Sequence, residues 1–139
     1  MTRTVFGLAL LLAFLDASAP ALAQADRSSA EAAAKPVMQQ LDAFRRDDYD
    51  TAYTFASEEI RRQFDRLRFE AMVRRGYPEI ARSTFALVAR TELVPDGAAY
   101  VTVKIRGDNG QAIEARYELV WQDGWKINGV VTRPDGGVI

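Results

Sequence analysis

The sequence predicts an α+β domain in which N-terminal helices pack on a four-stranded antiparallel meander. Between Pro36 and Gly76 apolar residues recur at helical spacing, as in Val37, Leu41 and Phe44 at i, i+4 and i+7. From Ser83 onward the pattern changes to alternation across four runs. Three breaks separate those runs, Pro95-Asp96-Gly97, Asp108-Asn109-Gly110 and Gln122-Asp123-Gly124, and each ends in glycine.

Residues 24–35 are small or polar and read as a flexible lead-in, with Ala30 to Ala34 tolerating helix without specifying a buried face. Pro36 suits a first helical turn and opens a helix expected to end near Arg46. Asp47 and Asp48 are N-caps for a second, short helix through Phe55, and Ser57 caps a third with Glu58 and Glu59 in its first turn. Asp65 restarts the helix, whose apolar members are Phe69, Met72 and Val73. It is expected to stop at Gly76, read as a left-handed C′ residue because Pro78 follows. The strands are expected at Thr84 to Val94, Ala98 to Arg106, Gln111 to Trp121 and Trp125 to Thr132. Thr132 to Ile139 forms a Gly- and Pro-rich end, so the domain spans 36–132 and the tail 133–139.

Strand register follows from the rule that directly opposed residues share a face. Three-residue loops with a left-handed glycine pair Ile105 with Ile113, Val103 with Ala115, Val101 with Tyr117 and Lys104 with Glu114. The same loop form pairs Leu119 with Ile127, Trp121 with Trp125, Ala89 with Val103 and Leu87 with Ile105. The resulting inner face includes Phe85, Leu87, Val101, Val103, Ile105, Ile113, Tyr117, Leu119, Trp121, Trp125, Ile127 and Val131. Helices preceding this sheet should cover that face. Its outer face is then unusually apolar at Ala86, Val88, Val120 and Val130, a surface for a homodimer.

The first 23 residues read as a secretory signal peptide: Arg3, an apolar run from Val5 to Leu15, and Ala21-Leu22-Ala23 before Gln24. The run falls well short of the roughly 20 residues that span a bilayer. Cleavage after Ala23 would leave no stable membrane span. Removing 23 residues from 139 leaves 116, enough for one self-sufficient core. The chain carries 18 basic and 19 acidic side chains with both signs interspersed, which offers nucleic acid no attractive field. Cysteine is absent, which excludes disulfides and the usual lipid anchor and fits a periplasmic destination. Histidine is absent too, excluding Ser-His-Asp and Cys-His nucleophiles and the commonest zinc ligand.

Helices followed by a long meander look like the NTF2-like or cystatin-like cone, an analogy of architecture that many functions share. A second resemblance rests on residues: Gln40-Leu41-Asp42-Ala43-Phe44-Arg45-Arg46-Asp47-Asp48, Ala52-Tyr53-Thr54-Phe55-Ala56-Ser57, Tyr77-Pro78, Tyr117-Glu118-Leu119 and Gly124-Trp125-Lys126-Ile127-Asn128-Gly129. This pattern is similar to a secreted bacterial family known as domain of unknown function 4864, over roughly Val37 to Val131. The resemblance implies export and a cone-like fold, and brings no catalytic residues with it.

Three groups of side chains are candidates for chemistry. Asp47, Asp48 and Asp50 could serve acid–base work or a hard cation, but they sit where helix capping calls for them, without the glycine and terminal glutamate of a calcium loop. No metal or cofactor is expected. Tyr53, Tyr77, Tyr117, Trp121 and Trp125 could line a cone pocket, with phenol and indole groups orienting a ligand, although strand aromatics also serve as core. The arginines from Arg45 to Arg75 alternate with carboxylates at i, i+4 spacing, as in Glu58–Arg62 and Glu70–Arg74, which describes a solvated helix face.

Two readings of function follow. The leading one is a non-catalytic exported module that binds a small apolar or amphipathic molecule or an envelope protein. Its alternative is a histidine-independent isomerase or dehydratase-like enzyme using Asp48 or Asp50 with Tyr53 or Tyr77, which requires a carboxylate inside the pocket.

Overall fold

A computed structural model describes residues 18–136. Helix α1 covers Ser18–Arg27 and includes Ala21-Leu22-Ala23, where cleavage is expected; Arg3 and the run Val5 to Leu15 lie outside the described residues. Among the described residues no helix is long and apolar enough to cross a membrane.

Helix α2 spans Ala30–Arg45 and therefore starts six residues earlier than Pro36 led us to expect. Ser29 caps it by accepting from the amide of Ala32 at 3.2 Å, and the alanines that follow carry high helix propensity. Pro36 thus sits inside the helix, where it removes one backbone donor. Burial of Ala33, Pro36 and Val37 offsets that loss. The lead-in reading of 30–35 failed because Ala33 faces the core, fully buried, and a small side chain there permits close packing.

Helices α3 (Tyr49–Thr54), α4 (Glu58–Gln63) and α5 (Arg66–Gly76) start where local capping chemistry places them. Asp48 accepts from the amide of Thr51, Ser57 from Ile60 and Asp65 from Arg68. Helix α5 ends at Gly76 as expected, but Gly76 is not left-handed; the chain turns at Tyr77 (φ −137°) into the short helix α6, Pro78–Ala81.

Strands β1 (Ser83–Leu93), β2 (Ala98–Gly107), β3 (Ala112–Trp121) and β4 (Trp125–Pro134) form one antiparallel sheet in the order β1-β2-β3-β4. Gly97, Gly110 and Gly124 all take positive φ in the three connections. The expected β2–β3 pairs are observed, as are Leu119 opposite Ile127 and Trp121 opposite Trp125.

Three register irregularities interrupt the other pairings, one of them at Ser83/Phe85 at the start of β1. An extra residue between Val88 and Arg90 shifts the β1–β2 register, so Val88 opposes Val103 and Ala86 opposes Ile105, in place of the expected Ala89 and Leu87. The irregularity at Glu118/Leu119 sets Val130 opposite Tyr117. Phe85, Leu87 and Val131 consequently point outward, 42%, 52% and 74% exposed, and do not belong to the inner face. Ala86, Val88 and Val130 pack against the core, so they do not form the apolar outer surface expected of them.

Helix α2 crosses the inner face, touching β1, β2 and β4, and its Val37, Leu41 and Phe44 join Val101, Val103, Ile105 and Leu119 in one buried core. The α3–α4 junction adds a single parallel bridge to β4. There Ser57 donates its amide to Ile127 O and Ile127 donates to Phe55 O, both at 2.8 Å.

Candidate functional site

The bulge that turns Val130 inward and the bridge at Ala56 together shape a cleft between the helices and the β3–β4 end of the sheet. Its volume is about 240 Å³. Buried residues make the floor: Gln40 and Phe44 from α2, Phe69 and Val73 from α5, Ile80 from α6, and Tyr117 and Ile127 from the sheet. Half-buried Ile60, Phe64, Met72, Tyr77, Gly129 and Val130 mark the mouth, between α4–α5 and the edge of β4.

This lining is almost wholly apolar, with three polar side chains. Gln40 is buried, and its Nε2 donates to Ala52 O at 3.1 Å, which orients the amide. Tyr77 stands at the mouth. Tyr117 is 1% exposed, and its hydroxyl has no hydrogen-bond partner. Burial pushes the Tyr117 phenol far up from its ordinary value, so it remains a protonated donor. An unpartnered buried hydroxyl costs on the order of 1–3 kcal/mol. Few such groups are kept in a native fold.

Of the expected ligand-binding aromatics, the structure brings Tyr77 and Tyr117 to the cleft. Tyr53 stands behind its wall: the ring packs on Phe69 at 5.3 Å and the hydroxyl donates to Phe64 O at 2.7 Å, which holds Phe64 at the mouth. Trp121 and Trp125 lie elsewhere, stacked edge-on at 5.4 Å and 83°. The N-terminal segment covers them, with Arg27 5.9 Å from the Trp121 ring and Trp125 Nε1 donating to Asp26 O at 3.2 Å.

The carboxylates proposed for acid–base work are not in the cleft. Asp48 caps α3, and hydrogen bonds from the Thr51 side chain and amide hold its carboxyl below the usual range, the wrong direction for proton transfer near neutrality. Asp50 is exposed and accepts from Arg66 at 2.6 Å; Asp47 pairs with Arg74 at 3.2 Å. The constellation of Asp48 or Asp50 with Tyr53 or Tyr77 is therefore not assembled: only Tyr77 reaches the cavity. Among the described residues no cluster of carboxylates could hold a metal ion.

Sequence reasoning missed Gln40, Phe64, Met72 and Val130. Gln40 carried a usable signal, since it lies within the buried stripe of Val37, Leu41 and Phe44, where a polar residue needs a partner.

A family model described as a domain of unknown function (DUF4864) matches residues 24–138. No curated protein and no solved structure matches the chain.

Proposed function

The chain belongs to the DUF4864 family, and from that premise we propose that it is an exported, periplasmic module that holds a small apolar or amphipathic molecule without acting on it chemically. The observation that carries this reading is the cleft itself, apolar and open at one side. A core with only a structural task would fill such space. Leaving it open forgoes packing at about 24 cal/mol per Å³ of void. The residues around it stay small where larger ones would close it, at Ala56, Val73 and Gly129.

Export is supported by Arg3, the run Val5 to Leu15 and Ala21-Leu22-Ala23, together with a cysteine-free sequence. The absence of a carboxylate from the described lining favours binding over acid–base chemistry.

Thermal melting with a panel of six- to ten-carbon alcohols, ketones, phenols and fatty acids tests the reading. A ligand at about ten times its dissociation constant adds roughly 1.4 kcal/mol, or about 6 °C for a domain of this size. Saturable stabilisation by at least one member is expected. A flat response across the panel would defeat the proposal.

A further inference from the structure

Helix α5 carries arginines on two flanks, and only one flank is fully paired. Arg66, Glu70 and Arg74 follow one another at i, i+4 spacing, with Arg66 bound to Asp50 at 2.6 Å and to Glu70 at 2.9 Å, and Arg74 bound to Glu70 at 3.1 Å and to Asp47 at 3.2 Å. Arg68 and Arg75 stand four residues before and three after Met72, so they share the flank on which Met72 marks the mouth of the cleft. Both are exposed. Arg68 meets Asp65 only at 3.9 Å, and among the described residues Arg75 has no ion pair. The acidic pair of α4 does not compensate them, because Arg62 holds Glu58 at 3.5 Å and Glu59 at 2.6 Å.

Cleft and rim therefore differ in kind. No charged side chain lines the cleft among the described residues, and its volume of about 240 Å³ exceeds the roughly 150 Å³ that accommodates benzene in an apolar protein cavity, scaling to about ten non-hydrogen atoms. A carboxylate drawn inside would lose its hydration and meet no counter-ion. Kept at the mouth, the same group stays in water beside two guanidinium groups, whose planar forks suit a carboxylate.

We propose that the cleft takes single-chain anionic amphiphiles of about ten non-hydrogen atoms, with the apolar chain in the cleft and the carboxylate held at the mouth by Arg68 and Arg75. This rests on the ligand-binding reading above and adds to it the sign of the ligand's charge and the end by which it is held. A neutral chain of the same length fills the same space and leaves both cations without a partner. Because the rim is solvated, the gain from the charge is modest and is screened by salt.

Octanoate and 2-nonanone separate the two terms, since they share a seven-carbon chain and differ in an oxygen anion against a methyl group. Equilibrium titration of the protein with each at pH 8, in low and in high salt, and again on the double variant Arg68→Gln/Arg75→Gln, is the experiment. In low salt octanoate should bind about three- to tenfold more tightly than 2-nonanone, and the gap should close in about 0.5 M salt. The double variant should lose the octanoate advantage while still binding 2-nonanone, which also reports that it is folded. Octanoate binding no more tightly than 2-nonanone, or an advantage that survives in the double variant, would overturn the inference and leave the binding reading standing. Sedimentation of the protein with phosphatidylglycerol vesicles, lost in the double variant and without any octanoate advantage in solution, would assign the arginines to a membrane surface and overturn it too. Failure of both molecules to bind would remove the binding reading together with the inference.

Discussion

The hydroxyl of Ser57 donates to Oδ1 of Asn128 at 2.7 Å while accepting from the amide of Ile60 at 3.2 Å. One buried side chain thereby starts α4 and ties the α3–α4 junction to β4, beside the cleft-wall residues Ala56 and Ile127. Ser57→Ala removes an N-cap, about 1 kcal/mol, and a side-chain hydrogen bond, about 1 kcal/mol more. Urea unfolding should show a loss of roughly 2 kcal/mol. A loss below about 0.5 kcal/mol would mean that the tie is not made.

Tyr49 offers the opposite test. It is buried against Phe44, ring centroids 5.2 Å apart, with the Arg74 guanidinium 4.5 Å from its ring centre. Its hydroxyl has no partner. Burial, opposed in part by Arg74, raises its pKa. Tyr49→Phe keeps the ring and deletes an unsatisfied group, so stability should hold or rise by up to about 1 kcal/mol. Arg74→Ala, which strips the nearer of two cations from the ring and leaves Arg66 at 5.6 Å, should lower it by about 1 kcal/mol. A Tyr49→Phe variant less stable than the parent would show that the hydroxyl is bonded after all.

Glu70 makes stability depend on acid. Arg66 and Arg74 approach its carboxylate at 2.9 and 3.1 Å, and the hydrogen bond from Arg66 is the largest reason its pKa falls below the ordinary 4.5. Because the folded value is the lower one, the unfolded chain takes up the proton first as pH falls. The stabilisation is complete above the ordinary value and is lost over the acid range below 4.5, as pH drops through the folded value. Urea midpoints across that range should decline more steeply for the parent than for Glu70→Gln. Parallel slopes would contradict the assignment.

Filling the cleft should separate stability from binding. Val73 lines it from α5, and Val73→Phe extends a ring into the open volume. Cavity-filling of this kind commonly yields about 0.5–2 kcal/mol. Thermal melting of the variant should show a raised midpoint and no response to ligands that stabilise the parent. Retained ligand response would place the binding site elsewhere.

The reach of the sequence differs between local and non-local features. Asp48, Ser57 and Asp65 start helices because one side chain and an amide three residues on suffice, and Gly97, Gly110 and Gly124 mark turns because positive φ favours glycine. The β1–β2 register was missed because Ala89, the extra residue, carries no mark of a bulge. That one residue exchanged Leu87 for Val88 on the inner face. The bulge in β4 left a trace in Gly129, a glycine inside a strand. The cleft was legible only in part: Tyr117 alternates inward by period, whereas Phe64 and Met72 reach it through helix packing that no local pattern encodes. The Trp121–Trp125 pair was read correctly as opposed, and its cover by Asp26 and Arg27 depends on a contact about a hundred residues distant in the chain.

Amide chemical-shift mapping of the protein during titration with 2-nonanone tests the central claim most directly. Saturable shifts should concentrate at Gln40, Phe64, Met72, Tyr77, Gly129 and Val130, with Leu87 and Val131 on the outer face unmoved. Shifts confined to the outer face or to the Trp121–Trp125 end, or no saturable shift at all, would contradict a ligand site in this cleft.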